Sequence, residues 1–212
     1  MKYKGIIFDL DGVICSTDRY HYLAWKALAD QLGIYFDETI NNRLRGVSRM
    51  ASLDIVLERY EGNMSQEEKF QAAEEKNNCY RELLRRMSPE DLSPEVKATL
   101  DALREKGLQL GIGSSSKNAK FILGQIGLGD YFDKVSDGTN ISRSKPDPEV
   151  FLKAAEFLAL DPADCLVVED AKAGIEAAAA AGMDSAAIGD AVACGLATYN
   201  LRSFSDLLNC VE

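Results

Sequence analysis

The run Gly5-Ile6-Ile7-Phe8-Asp9-Leu10-Asp11-Gly12 constrains this chain more than any other. An apolar strand leads straight into two aspartates on alternate positions and then into a glycine. Side chains alternate along a strand, so a strand regular through this point would turn Asp9 and Asp11 the same way at its carboxyl end. In an open parallel sheet that end is where ligands bind, and Gly12 removes the side chain that would obstruct the turn. The plainer alternative is a strand closed by an Asp-Gly turn whose acids are simply solvated.

The rest of the chain decides between these. Two hundred and twelve residues are enough for a substantial core, with 46% hydrophobic and 27% charged residues near the globular average. No apolar run is long enough to cross a bilayer, and the start lacks the basic and apolar pattern of a secretory signal. The five cysteines, Cys15, Cys79, Cys165, Cys194 and Cys210, are odd in number and never form a Cys-x-x-Cys pair. Reduced thiols in a cytoplasm are therefore expected, rather than a zinc site or a disulfide framework. A net charge of -10 argues against nucleic acid and anionic membrane as partners. It leaves room for a small anion at a local positive site.

Between Asp18 and about Met87 the pattern is helical. Leu23, Ala24, Ala27, Leu28 and Leu32 recur at helical spacing up to Gly33, a second helix is expected from Met50 to Tyr60, and a third from Ser65 to Met87. Ser65 with Glu68 forms a capping-box signature, and Ser88-Pro89 closes the run. From Leu92 helices alternate with short apolar strands, expected at 109–112, 134–136, 165–168 and 185–188, and the opening strand at 5–8 joins the same sheet. Alternation of this kind predicts an α/β fold, a doubly wound Rossmann-like parallel sheet covered on both faces. The expected division is a core of residues 1–15 and 90–212 with a small helical cap domain inserted over 16–89.

Three more polar clusters fall where strands end. Gly113-Ser114-Ser115-Ser116-Lys117-Asn118 is a hydroxyl-rich turn opening a helix, suited to anions through free backbone N–H groups but equally suited to plain capping. Ser144-Lys145-Pro146-Asp147-Pro148 places a lysine in a backbone restricted by two prolines. Val167-Val168-Glu169-Asp170 ends a buried strand with adjacent acids, which are costly unless something positive lies between them.

Taken together, Asp9, Asp11, Ser114, Lys145, Glu169 and Asp170 resemble the four motifs of the haloacid dehalogenase superfamily of phosphotransferases. The resemblance spans the chain in order. It implies Asp9 as nucleophile, Asp11 as general acid and base, and Ser114, with Ser115 beside it, and Lys145 as holders of the transferring phosphoryl group. It also implies magnesium held by the carboxylates of Asp9, Glu169 and Asp170 and the backbone carbonyl of Asp11. These residue types suit the chemistry, because phosphoryl transfer is mainly charge management and a carboxylate can carry the group as an acyl phosphate.

The inserted segment carries a narrower resemblance. Gly46-Val47-Ser48-Arg49-x-x-Ser52-Leu53, with His21-x-x-x-Trp25-Lys26 upstream and Lys117-Asn118 in the core, is similar to the superfamily members that interconvert sugar phosphates through a bisphosphate. This implies that Arg49, Ser116, Lys117 and Asn118 grip the distal phosphate, that Trp25, Gly46, Val47, Ser52 and Lys76 shape the sugar pocket with Thr17, Arg45 and Ser48 beside them, and that His21 links the cap to Asp11. His21, Trp25 and Leu28 are also helically spaced, so a purely structural role stays open for each. Two positions depart from the subgroup, which usually carries Lys where Arg45 stands and Ala where Ser115 stands. The expectation is a monomeric magnesium enzyme acting on sugar phosphates. Two alternatives remain: a sugar-phosphate phosphatase, in which water attacks the same intermediate, and a non-catalytic sugar-phosphate binding protein.

Overall fold

The segments Gly5–Phe8 and Cys165–Glu169 are short, largely apolar and buried at every residue, so as strands they need cover on both faces, and the chain arranges them accordingly. The structure is a computed structural model describing residues 1–44 and 47–211. Six strands, β1 (Gly5–Phe8), β2 (Gln109–Gly113), β3 (Lys134–Ser136), β4 (Cys165–Glu169), β5 (Asp184–Ala187) and β6 (Tyr199–Asn200), form one sheet in the order β3-β2-β1-β4-β5-β6. Every pairing is parallel. The chain winds outward from β1 to β3, then crosses to β4 on the other side of β1. That reversal makes the carboxyl ends of β1 and β4 the switch point of a Rossmann-like sheet.

Of the helices that alternate with the strands, α5 (Pro94–Glu105), α6 (Ala119–Gln125), α7 (Glu149–Leu158) and α8 (Lys172–Ala180), the last two cover one face of the sheet, where Val150, Phe151, Ala154, Ala177 and Ala178 bury Ile7 and Val167. Elsewhere in the core Phe8 stacks on Phe204 at 5.9 Å between ring centres and tilts against Phe132 at 6.1 Å. The strand expected at 185–188 begins one residue earlier. Asp184 joins the ladder because its carboxylate accepts from Lys2, Tyr3 and Thr198, which anchors a polar residue at the strand start. The two-residue β6 has too little sequence to announce itself.

By contacts within the chain, two compact units separate: Met1–Ser16 with Ser88–Glu212, and Thr17–Met87. The second unit contains α1 (Asp18–Gln31), α2 (Glu38–Asn42), α3 (Arg49–Val56) and α4 (Gln66–Leu84). The capping box of Ser65 and Glu68 starts α4 as its sequence predicts. The unit's own core is Trp25, Leu28, Ala29, Ile34, Phe36, Leu53, Val56, Ala72 and Ala73. Among the described residues no helix is long and apolar enough to cross a membrane.

Candidate active site

Strand β1 ends at Phe8, yet the Asp9 N–H still donates to the Val168 carbonyl at 2.9 Å, so Asp9 stands beside the end of β4. Beyond it the chain does not continue as strand. Gly12 takes a left-handed φ of +86° and its N–H donates to the Cys15 carbonyl at 2.8 Å, closing a tight turn around Asp11. The turn, rather than strand alternation, brings Asp11 into the charge cluster. Gly12 is demanded twice over, because a Cβ there would also lie 2.1 Å from Asp170 Oδ2.

Lys145 is the cation at the centre. Its Nζ donates to Asp9 Oδ1 and to Glu169 Oε1, each at 2.5 Å, and stands 4.7 Å from the ring centre of Phe151. The segment bearing it contains a cis Lys145–Pro146 bond and is tied to α7 by Ser142 and Arg143, whose N–H groups donate to Glu149 Oε2. Burial opposes a charged Lys145, but the paired carboxylates of Asp9 and Glu169 outweigh it and hold the ammonium well above its ordinary pKa. Glu169 moves upward because burial dominates its environment. Its second oxygen, Oε2, accepts from the Ala171 N–H at 2.9 Å.

The serine-rich turn lies at the end of β2, where the Ser114 N–H donates to the Ser136 carbonyl at 3.0 Å. Ser114 is buried, and its Oγ accepts from the Ser116 N–H at 3.2 Å. Ser116 Oγ accepts in turn from the N–H of Asn118, also buried, at 3.1 Å, while Lys117 is exposed. Ser115 Oγ accepts from the Lys145 N–H at 3.4 Å, a weak bond that an alanine could not make. Asp9, Ser114, Ser115, Lys145, Glu169 and Asp170 thus gather at neighbouring strand ends.

Lys145 sits against Asp9 and Glu169, while the charges of Asp9, Glu169 and Asp11 all act on Asp170. The imbalance falls on Asp170, whose carboxyl is pushed up to about 8 by burial and then by the charges of Asp9, Glu169 and Asp11. Among the described residues no three His, Cys, Asp or Glu side chains stand close enough to grip a metal as they are, and Lys145 fills the space between two of them. The surplus charge and the all-oxygen donor set nonetheless fit a hard divalent cation, and fit no soft one.

In the helical unit, Lys76 is buried, with Nζ 2.9 Å from His21 Nδ1 and 4.6 and 4.7 Å from the ring centres of Trp25 and Tyr80. His21 stacks on Tyr80, and burial together with Lys76 and Arg49 holds its pKa well below the usual imidazole range. Trp25 lies in the hydrophobic cluster, the packing its helical spacing also allows. Ser48 Oγ caps α3 by accepting from the Ala51 N–H at 3.3 Å, Ser52 and Thr17 are buried, and Val47 is exposed. Arg45 and Gly46 lie outside the described residues.

Two glycines escaped the sequence reading. A Cβ on Gly174 in α8 would lie 1.9 Å from Glu169 Oε1, so that helix is hollowed to admit the carboxylate. A Cβ on Gly138 would lie 2.5 Å from the Ser115 carbonyl oxygen, and the Gly138 N–H donates to the Ser116 carbonyl at 3.1 Å. A glycine inside an otherwise Ala-rich helix is the signal that could have exposed the first.

Residues 3–182 match the family model described as haloacid dehalogenase-like hydrolase. The chain belongs to the haloacid dehalogenase-like hydrolase family. The match takes in Asp9, Asp11, Ser114, Lys145, Glu169 and Asp170, the carboxylates and the lysine-serine pair just described. Among haloacid dehalogenase-like relatives, the chain is 41% identical over 206 residues to β-phosphoglucomutase of Bacillus subtilis, covering 96% of this chain and 91% of that one. It is 32% identical over 184 residues to a phosphorylated carbohydrates phosphatase of Thermotoga maritima, covering 85% and 82%. A solved β-phosphoglucomutase from Clostridium difficile superposes with a TM-score of 0.89 at 39% identity, covering 97% of this chain and 93% of that one.

Proposed function

We propose that this chain acts as a β-phosphoglucomutase, a cytoplasmic monomer interconverting β-D-glucose 1-phosphate and glucose 6-phosphate through enzyme-held glucose 1,6-bisphosphate. The observation that carries phosphoryl transfer is Lys145, set 2.5 Å from both Asp9 and Glu169 at the switch point of the sheet. The mutase reading draws support from the higher identity to the B. subtilis mutase than to the T. maritima phosphatase.

In this reading a carboxylate oxygen of Asp9 attacks phosphorus. The Asp9 O–P bond forms, the bond from phosphorus to the leaving oxygen breaks, and Asp11 supplies the proton that oxygen needs. In the second half a sugar hydroxyl attacks the phosphoryl group, Asp11 takes its proton, and the Asp9 carboxylate is released. Donation from Lys145 fixes the Asp9 rotamer and, with Ser114 and Ser115, neutralises the phosphoryl oxygens. Asp9, Glu169 and Asp170, with the Asp11 carbonyl, would hold Mg2+, whose chemistry is to offset the negative charge of a phosphoryl group. Ser116, Lys117 and Asn118 are assigned to phosphate binding. Arg49 of the helical unit is assigned to the distal phosphate, as the side chain whose planar fork suits phosphate oxygens. Thr17, His21, Trp25, Arg45, Gly46, Val47, Ser48, Ser52 and Lys76 are assigned to the sugar side.

A phosphatase using the same half-reaction is the second reading, favoured by the identity to the T. maritima enzyme. Asp9→Asn tests the shared step. Trapping of phosphate on residue 9 of the unsubstituted protein, and its loss in the variant together with all turnover, is expected. A variant that keeps turnover contradicts both readings.

A further inference from the structure

Arg49 is engaged by acceptors of the helical unit itself. As the first residue of α3 it sits just beyond the Ser48 cap, so its backbone is fixed. Its Nη1 donates to Glu74 Oε1 at 2.5 Å and its Nη2 to Asn77 Oδ1 at 2.9 Å. Glu74 and Asn77 are three residues apart on α4 and so share a face, presenting one charged and one neutral acceptor to the guanidinium fork. The two acceptors differ in freedom. The Glu74 side chain is 60% exposed, whereas Arg49 is 26% exposed and Asn77 is half-buried.

We propose that Glu74 is a displaceable counter-ion of Arg49 that sets how tightly the helical unit takes a phosphate. The inference rests on the assignment of Arg49 to the distal phosphate. A phosphate dianion and the Glu74 carboxylate want the same N–H donors, so binding exchanges one charge-assisted pair for another. Asn77, neutral and less exposed, keeps its contact and holds the guanidinium plane while Glu74 swings into water. The displaced carboxylate then stays near a second anion, which weakens retention of the phosphate and favours its release. Glu74 is in this sense a positioning and affinity-setting residue and touches no reacting atom. An exposed pair of this kind changes affinity by about two- to fivefold.

The test is the KM for β-glucose 1-phosphate, with magnesium and trace glucose 1,6-bisphosphate, in Glu74→Gln, Arg49→Ala and the double variant at low and high salt. Glutamine keeps the acceptor and removes only the charge. The expected result is a KM lowered about two- to fivefold in Glu74→Gln at low salt, with the gain shrinking at high salt and vanishing in the Arg49→Ala background. A purely structural role for Glu74 would leave no such salt dependence. If Arg49→Ala raises KM while Glu74→Gln leaves it unchanged or raises it, the Glu74 inference alone falls. An unchanged KM in Arg49→Ala, or no turnover in the unsubstituted protein, overturns the reading beneath it and the inference with it.

Discussion

Lys145 Nζ and Glu169 Oε1 lie 2.5 Å apart with side-chain exposures of 6% and 1%, so neither charge has water to fall back on. Removing one partner of a buried pair leaves the other uncompensated, and here two carboxylates depend on one amine. Lys145→Ala should cost about 3–5 kcal/mol at neutral pH, measured by urea denaturation. Phosphoryl transfer should fall by about a hundredfold or more, as when a preorganised donor is lost. A variant of ordinary stability would mean that the pair is not buried as described.

Gly174→Ala sets helix propensity against packing. Alanine is the better helix former by about 1 kcal/mol, so an open site would be stabilised. With a Cβ placed 1.9 Å from Glu169 Oε1, the substitution should instead destabilise by about 1–3 kcal/mol and lower turnover by displacing that carboxylate. Melting temperature and kcat measured on the same preparation check both. A raised melting temperature with full activity would contradict the account.

The legibility of the chain followed the strength of its local signals. The strand ends at Asp9 and Glu169 could be read because apolar runs stop abruptly at acids, and Lys145 because two prolines follow it closely and restrict the backbone. The strand order, the start of β5 at Asp184 and the two-residue β6 depend on partners far along the chain, which no local pattern encodes. The role of Gly138 was hidden for the same reason, and the glycine within an Ala-rich helix marks Gly174 as unusual without naming the Glu169 atom that a Cβ would strike. In the helical unit, spacing alone left Trp25 open as core or as ligand platform, and packing places it in the hydrophobic cluster.

His21 links stability to pH. Its pKa in the folded chain lies well below the ordinary value of 6.5, owing first to burial and then to Lys76 and Arg49. Between the folded and unfolded values the unfolded chain binds the extra proton. The stabilising contribution is therefore fully present above pH 6.5 and is lost as pH falls toward the folded value. Denaturation midpoints should fall on acidification below this point, with a slope of about 1.4 kcal/mol per pH unit from this one group. His21→Asn should flatten that part of the profile, and an unchanged slope would remove His21 as its source.

Ser115 probes how far the loops depend on each other. Its Oγ accepts from the Lys145 N–H at 3.4 Å, a weak bond between the two segments proposed to hold phosphate. Ser115→Ala should cost no more than about 1 kcal/mol and lower kcat less than tenfold, measured by denaturation and steady-state kinetics. A loss as deep as that of Lys145→Ala would give the hydroxyl a far larger part than this geometry allows.

The most direct test is the fate of the phosphoryl group that Asp9 is proposed to carry. Supplied with β-glucose 1-phosphate, magnesium and a trace of glucose 1,6-bisphosphate, the protein should produce glucose 6-phosphate in large excess over inorganic phosphate. Release of inorganic phosphate without glucose 6-phosphate would contradict the account and leave water, not sugar, as the acceptor.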